Sequence, residues 1–239
     1  MQSAQQITQN LQNPNLMLSY EPQYRGLPVL ANQERPLIVQ YLDGILDTVD
    51  EALWHYPRIT AFLFVLKLPT GYPLGETDNS PMTRFWKSLK AKIQANRSSA
   101  RKRNVLVHDT GVFCVWSREY DSHETAPHWH CAFMVNQDAY SRLGWSHSDQ
   151  ENMWHRIHSA WASALGLHVS QVQGLVHFPG NETYYINRNS EGEDRADLFR
   201  RLSYLAKAPT KVYHDNIHAF GCSRSRRPGS SSRWGSCLD

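Results

Sequence analysis

Residues 59–68 (ITAFLFVLKL) are apolar on both alternating sets of positions. A strand with one wet face alternates apolar and polar side chains, so this segment requires cover on both faces. Its apolar stretch, 59–66, is far short of the roughly 18–20 residues a membrane span needs. The chain must therefore supply helices or further strands to both sides of a central sheet.

The neighbouring sequence offers them. Over 35–55, Leu37, Ile38, Leu42, Ile45, Leu46, Val49 and Leu53 recur at helical spacing, with Asp43, Asp47, Asp50 and Glu51 between them. Pro57 ends that helix. Pro81 suits the first turn of a second, running to 103, with Met82, Phe85, Leu89 and Ile93 facing inward. Residues 112–120 and 128–135 read as two strands joined by a short loop, hence as an antiparallel hairpin. A third helix is expected over 148–166, with Ser148 or Asp149 as N-cap and Gly166 as C-cap. Short strands are expected at 172–178 and 183–187. A last helix is expected from about Arg195 to Ala208, stopped by Pro209. This is an α+β pattern with a mainly antiparallel sheet and flanking helices. The Gln- and Asn-rich residues 1–33 read as a flexible lead-in, 34–213 as the folded domain and 214–239 as a basic Ser/Arg-rich tail.

The N-terminus has neither a basic start nor an apolar stretch, so the expectation is a soluble, cytoplasmic protein rather than a secreted one. The four cysteines (Cys114, Cys131, Cys222, Cys237) include no C-x-x-C pair and read as reduced thiols. The net charge of +3 is uninformative until it is divided along the chain. Between Asp78 and Asp109 eight basic residues and no acidic ones occur, among them Arg84, Lys87, Lys90, Arg97 and Arg101. From Arg200 onward eight more basic residues face only Asp215 and Asp239. Two basic blocks embedded in an acidic remainder suit a polyanionic partner such as nucleic acid; the plainer alternative is a solvated helix face and tail.

The most specific feature is His128-Trp129-His130 at the head of an apolar strand. Residues i and i+2 of a strand project to the same face, so the two imidazoles can share one metal while Trp129 and Cys131 pack on the other side. With residues 121–126 as the loop, Glu119 falls opposite His128 and Ser117 opposite His130. Glu119 thus shares the histidine face. A His, His, Glu set with open positions would bind Mg²⁺ or Mn²⁺. The alternative leaves Glu119 as a strand-end surface carboxylate beside Arg118. On the last helix, 100° steps put Phe199, Leu202, Leu205 and Ala206 in the buried stripe. Tyr204 then falls on the opposite side, between Arg200 and Lys207. Positive charge favours a phenolate, and a divalent metal polarises a phosphate. Together the parts would suffice for phosphodiester transfer to a tyrosine.

At these residues the chain resembles the HUH endonucleases that initiate rolling-circle replication: an HWH strand, then Y-x-x-K on a later helix. The wording FCVWSREYDS…PHWHCAFMVN, RRLSYLAK and FGCSR is most similar to inovirus-type replication proteins of filamentous phages and prophages. The resemblance implies a central antiparallel sheet of the HUH-nuclease kind. His128, His130 and Glu119 would hold the metal, Tyr204 would attack single-stranded DNA at a replication origin, and Lys207 would assist. Partners would be that DNA and host replication proteins, in the cytoplasm of a bacterial host and with no membrane. Enzymes of the family with two tyrosines place them about a helical turn apart. Here Arg200 stands in that place, which implies a single-tyrosine form and leaves Tyr184 or Tyr185 as candidates for a second transfer. A non-catalytic DNA-binding regulator on the same scaffold is the competing reading.

Overall fold

The computed structural model describes residues 7–72, 79–103, 106–120, 126–190, 192–213 and 217–224. Its centre is one antiparallel sheet of six strands: β1 (Arg58–Lys67), β2 (Phe113–Glu119), β3 (His128–Asn136), β4 (Val176–His177), β5 (Thr183–Asn187) and β6 (Phe220–Cys222). The spatial order is β5-β1-β3-β2-β6, with β4 also paired to β1. Four helices flank it: α1 (Val39–His55), α2 (Ser80–Arg103), α3 (Met153–Leu165) and α4 (Glu193–Leu202).

The doubly apolar β1 behaves as its sequence demands. Its even-numbered Phe62, Phe64 and Leu66 enter a core with Phe85, Trp86 and Leu89 of α2 and Ile157 and Trp161 of α3. Its odd-numbered Ile59, Ala61 and Leu63 enter a second core with Leu42, Ile45 and Val49 of α1 and Leu198, Phe199 and Leu202 of α4. Each face of the sheet thus carries one helix pair. Among the described residues no helix is long and apolar enough to cross a membrane.

Several element ends differ from expectation for local reasons. Helix α3 starts at Met153 rather than near Ser148, because Asn152 caps it: its Oδ1 accepts the His155 N–H at 3.1 Å. Gly166 closes it in the left-handed conformation, as expected. Of the strand expected at 172–178 only Val176–His177 forms. A 3₁₀ turn over Val169–Val172 and the positive φ of Gly174 interrupt the rest.

The lead-in and the tail are both corrected within the described residues. Ile7–Gln9, Met17–Ser19 and Leu37–Ile38 form a small three-stranded sheet, and Leu16, Tyr24 and Val29 are buried in the α1/α4 core. Scattered single apolar residues anchor this segment, which periodicity does not register. Phe220–Cys222, placed with the tail, is instead the edge strand against Val115–Ser117 of β2. Gly221 is required there, since a Cβ would lie 2.6 Å from the Trp116 ring. Cys114, Cys131 and Cys222 are buried free thiols; Cys237 and the tail arginines Arg226, Arg227 and Arg233 lie outside the described residues.

Candidate metal and tyrosine site

Strands β2 and β3 pair in the register expected with 121–126 as the loop: Glu119 opposite His128, and Ser117 opposite His130. Trp129, Cys131 and Phe133 point into the α2/α3 core, so His128 and His130 emerge on the α1/α4 face. Ligand atoms of Glu119, His128 and His130 all lie within 4.8 Å of one another. Glu119 and His128 are buried, while the His130 side chain is 21% exposed, so the cluster opens to solvent beside His130. One carboxylate and two imidazoles with an open side is a donor set that fits a divalent ion such as Mn²⁺ or Mg²⁺.

The tyrosine reaches the cluster by a route the helical periodicity did not contain. Helix α4 ends at Leu202, and Ser203–Ala206 winds as a tighter 3₁₀ turn. The Ser203 hydroxyl donates to the Arg200 carbonyl at 2.7 Å and accepts the Leu30 N–H at 3.0 Å. Leu37 bridges Lys207, and the Ala208 N–H donates to the Pro36 carbonyl at 3.0 Å. The N-terminal segment thereby clamps both ends of the turn. Because 3₁₀ geometry eclipses residues i and i+3, Lys207 lies over Tyr204. Its Nζ donates to the Tyr204 hydroxyl at 2.5 Å and stands 4.0 Å from the ring centroid. Tyr204 is half-buried rather than turned away from the protein, its ring edge-on to His130 at 5.2 Å between centroids.

Glu119 ties the two halves together. Lys207 Nζ is 2.7 Å from its Oε2, with His130 Nε2 at 3.4 Å from the same oxygen. Lys211 Nζ donates to Oε1 at 2.8 Å, and the Ser117 hydroxyl donates to that oxygen at 3.3 Å. Burial alone would raise the carboxyl pKa. The His130 hydrogen bond and the Lys211 and Lys207 ammonium groups more than offset it, holding Glu119 well below the usual carboxylate range. Burial pushes Lys211 down to about 8 against the pull of Glu119.

Lys211 was not legible in the sequence, since it follows Pro209 in a stretch without periodicity. A signal did exist: a buried glutamate demands a counter-charge, and Lys207 alone leaves one carboxylate oxygen unmatched. Lys67 was missed as well. It pairs with His128 from β1, and opposite residues share a face.

The basic residues expected to touch DNA are not all brought to this face. Arg84, Lys87, Lys90, Arg97 and Arg101 belong to α2, which covers the other side of the sheet. Three of them have internal partners. Arg84 donates to the Ala164 carbonyl, Arg97 stacks on Tyr140 at 4.4 Å, and Arg101 pairs with Asp109. Lys87 is exposed and Lys90 half-buried. Arg200 is exposed on α4, on the face of the cluster. Tyr184 and Tyr185 pair with Ala61 and Thr60, four or more residues along β1 from Val65 and Lys67, which flank the histidines. At about 3.4 Å per residue neither tyrosine shares the cluster.

The described residues thus define an α+β protein in which a carboxylate and two histidines meet a tyrosine–lysine turn. By sequence the chain belongs to the YagK/YfjJ C-terminal domain family, whose model matches residues 20–223 and so spans every residue of the cluster. It is similar to the uncharacterized protein YagK of Escherichia coli (strain K12), with 32% identity over 178 residues, covering 71% of this chain and 85% of YagK. It is also similar to the uncharacterized protein YfjJ of the same strain, with 33% identity over 152 residues, covering 62% of this chain and 72% of YfjJ. No solved structure matches.

Proposed function

We propose that the chain is a metal-dependent HUH-type endonuclease that nicks single-stranded DNA at a phage or prophage replication origin and rejoins strands, acting in the bacterial cytoplasm. One observation carries this reading: Lys207 touches both the Tyr204 hydroxyl, at 2.5 Å, and the carboxylate of the Glu119–His128–His130 cluster, at 2.7 Å. A nucleophile, its cation and a metal-ligand set therefore occupy one small site. Nothing in an ordinary packing role for Tyr204 requires that coincidence.

In this reading Glu119, His128 and His130 hold Mg²⁺ or Mn²⁺, which when bound polarises the scissile phosphate. Tyr204 forms a bond from its phenolic oxygen to phosphorus, and the bond from phosphorus to the 3′ oxygen breaks. The 5′ end remains on Tyr204, and the released 3′ oxygen gains the proton that the phenol gives up. Lys207, with its ammonium on the reacting oxygen, steadies the negative charge that develops there. The reverse attack by a 3′-OH restores the phosphodiester, so one tyrosine suffices for strand joining. Host polymerase would use the free 3′-OH.

Incubation with single-stranded DNA from the replicon that encodes the chain, with Mn²⁺ or Mg²⁺, tests the proposal. A protein–DNA adduct that survives denaturing electrophoresis and disappears in Tyr204→Phe is expected. An adduct that persists in Tyr204→Phe moves the nucleophile elsewhere. No adduct with either metal favours a DNA-binding regulator.

A further inference from the structure

The Lys207 ammonium makes two contacts that a loaded site cannot keep together. It sits 2.7 Å from Oε2 of Glu119 and 2.5 Å from the Tyr204 hydroxyl. Oε2 is also the carboxylate oxygen that faces His130, 3.4 Å from its Nε2. The other oxygen, Oε1, is held on the far side by Lys211 and Ser117. A cation shared by Glu119 and the histidines therefore has one carboxylate oxygen to use, and Lys207 is on it.

We propose that Lys207 competes with the divalent cation for Oε2 of Glu119, so that loading the metal shifts Lys207 from the carboxylate onto Tyr204. This rests on the metal-site reading above and adds a coupling to it: occupancy of the metal site decides how fully the lysine serves the nucleophile. Three features support the exchange. Two ammonium groups on one carboxylate give Glu119 more positive charge than it needs, so surrendering one leaves it still matched by Lys211. Lys211 and the Glu119 carboxylate are fully buried, which holds Oε1 in place while Oε2 changes partner. Lys207 needs no new route, because the eclipsed turn already keeps its ammonium against the Tyr204 oxygen and ring. The lysine keeps its proton throughout and no covalent bond changes. Only ion-pair partners are exchanged.

The test is Mn²⁺ affinity without DNA, read by calorimetry or by the resonance of free Mn²⁺. Wild type is compared with Lys207→Met, Lys207→Gln and Arg200→Met. Arg200 is exposed on α4, so its variant reports the effect of losing a nearby charge without touching Oε2. The two neutral replacements should bind Mn²⁺ about tenfold more tightly, the scale of one charge-assisted hydrogen bond. Arg200→Met should stay within about twofold of wild type. Circular dichroism identifies a folded variant, and one folded neutral replacement suffices.

Wild type that binds Mn²⁺, with replacements that bind no more tightly, overturns the competition while leaving the nickase reading standing. An equal gain in Arg200→Met overturns it too, by reducing the effect to general charge. If none of the four proteins binds Mn²⁺, the metal-site reading itself fails and the competition with it.

Discussion

The ammonium of Lys211 lies 2.8 Å from Oε1 of Glu119, and neither side chain is exposed. The two residues are 92 positions apart and join the end of β2 to the segment after the Tyr204 turn. Glu119→Gln strands the Lys211 ammonium in the interior and should cost about 3–5 kcal/mol. Lys211→Met leaves the carboxylate with Lys207 and Ser117 and should cost less, and the double variant should cost much less than the sum of the two. Urea unfolding of the four proteins measures the coupling. Strict additivity would show that the pair is not an energetic unit.

Ser203 is the hinge between the α-helix and the 3₁₀ turn. Its hydroxyl serves two backbone groups, the Arg200 carbonyl and the Leu30 N–H. Ser203→Ala should lower stability by about 1 kcal/mol, because the half-buried Leu30 N–H loses its acceptor. If the turn sets the aim of Tyr204, adduct formation with DNA should fall by more than the fraction of protein unfolded. A loss that follows stability alone would limit Ser203 to a structural role.

How much of this was written in the sequence depends on how local the rule is. The shared face of Glu119 and the two histidines follows from strand parity, which survives any register shift of two, and the register itself from a 121–126 loop. The doubly covered β1 likewise follows from its apolar run. What escaped is non-local. Helical periodicity carried through Ser203 placed Tyr204 on the outer side, because it contains no term for a hydroxyl that captures a carbonyl and tightens the winding. The Lys211 ion pair and the edge strand Phe220–Cys222 depend on partners 92 and about 105 positions away, beyond any window of periodicity. Leu16, Tyr24 and Val29 are buried singly, so a composition rich in Gln and Asn concealed an ordered segment.

His158 gives a pH signature unconnected with the cluster. It stacks on Trp154 at 3.5 Å between centroids and lies near Phe178, with Nδ1 2.9 Å from the Trp154 carbonyl. Burial holds its pKa below the ordinary value of 6.5. As pH falls through about 6.5 the unfolded chain gains a proton that the folded chain accepts only at lower pH, so stability declines. Between about pH 7.5 and 5.5 the wild type should lose more stability than His158→Phe, whatever their absolute difference. Parallel urea midpoints across that range would contradict the assignment.

The basic residues divide by face, and so should their effects. Lys87 and Lys90 lie on α2, across the sheet from Tyr204, whereas Arg200 stands on α4, one turn before it. Arg97 stacks on Tyr140, and Arg101 pairs with Asp109 at the surface. If the outer face of α2 holds DNA, Lys87→Gln/Lys90→Gln should flatten the slope of log affinity against log salt by about one unit for each phosphate no longer neutralised. Adduct formation at saturating oligonucleotide should then be preserved, because the strand at Tyr204 is unchanged. Arg200→Gln should do the reverse, with a small change in salt slope and slower adduct formation. An unchanged slope in the α2 variant would remove that helix from the interface. The DNA path would then be confined to the face that carries Tyr204, Lys207 and Arg200.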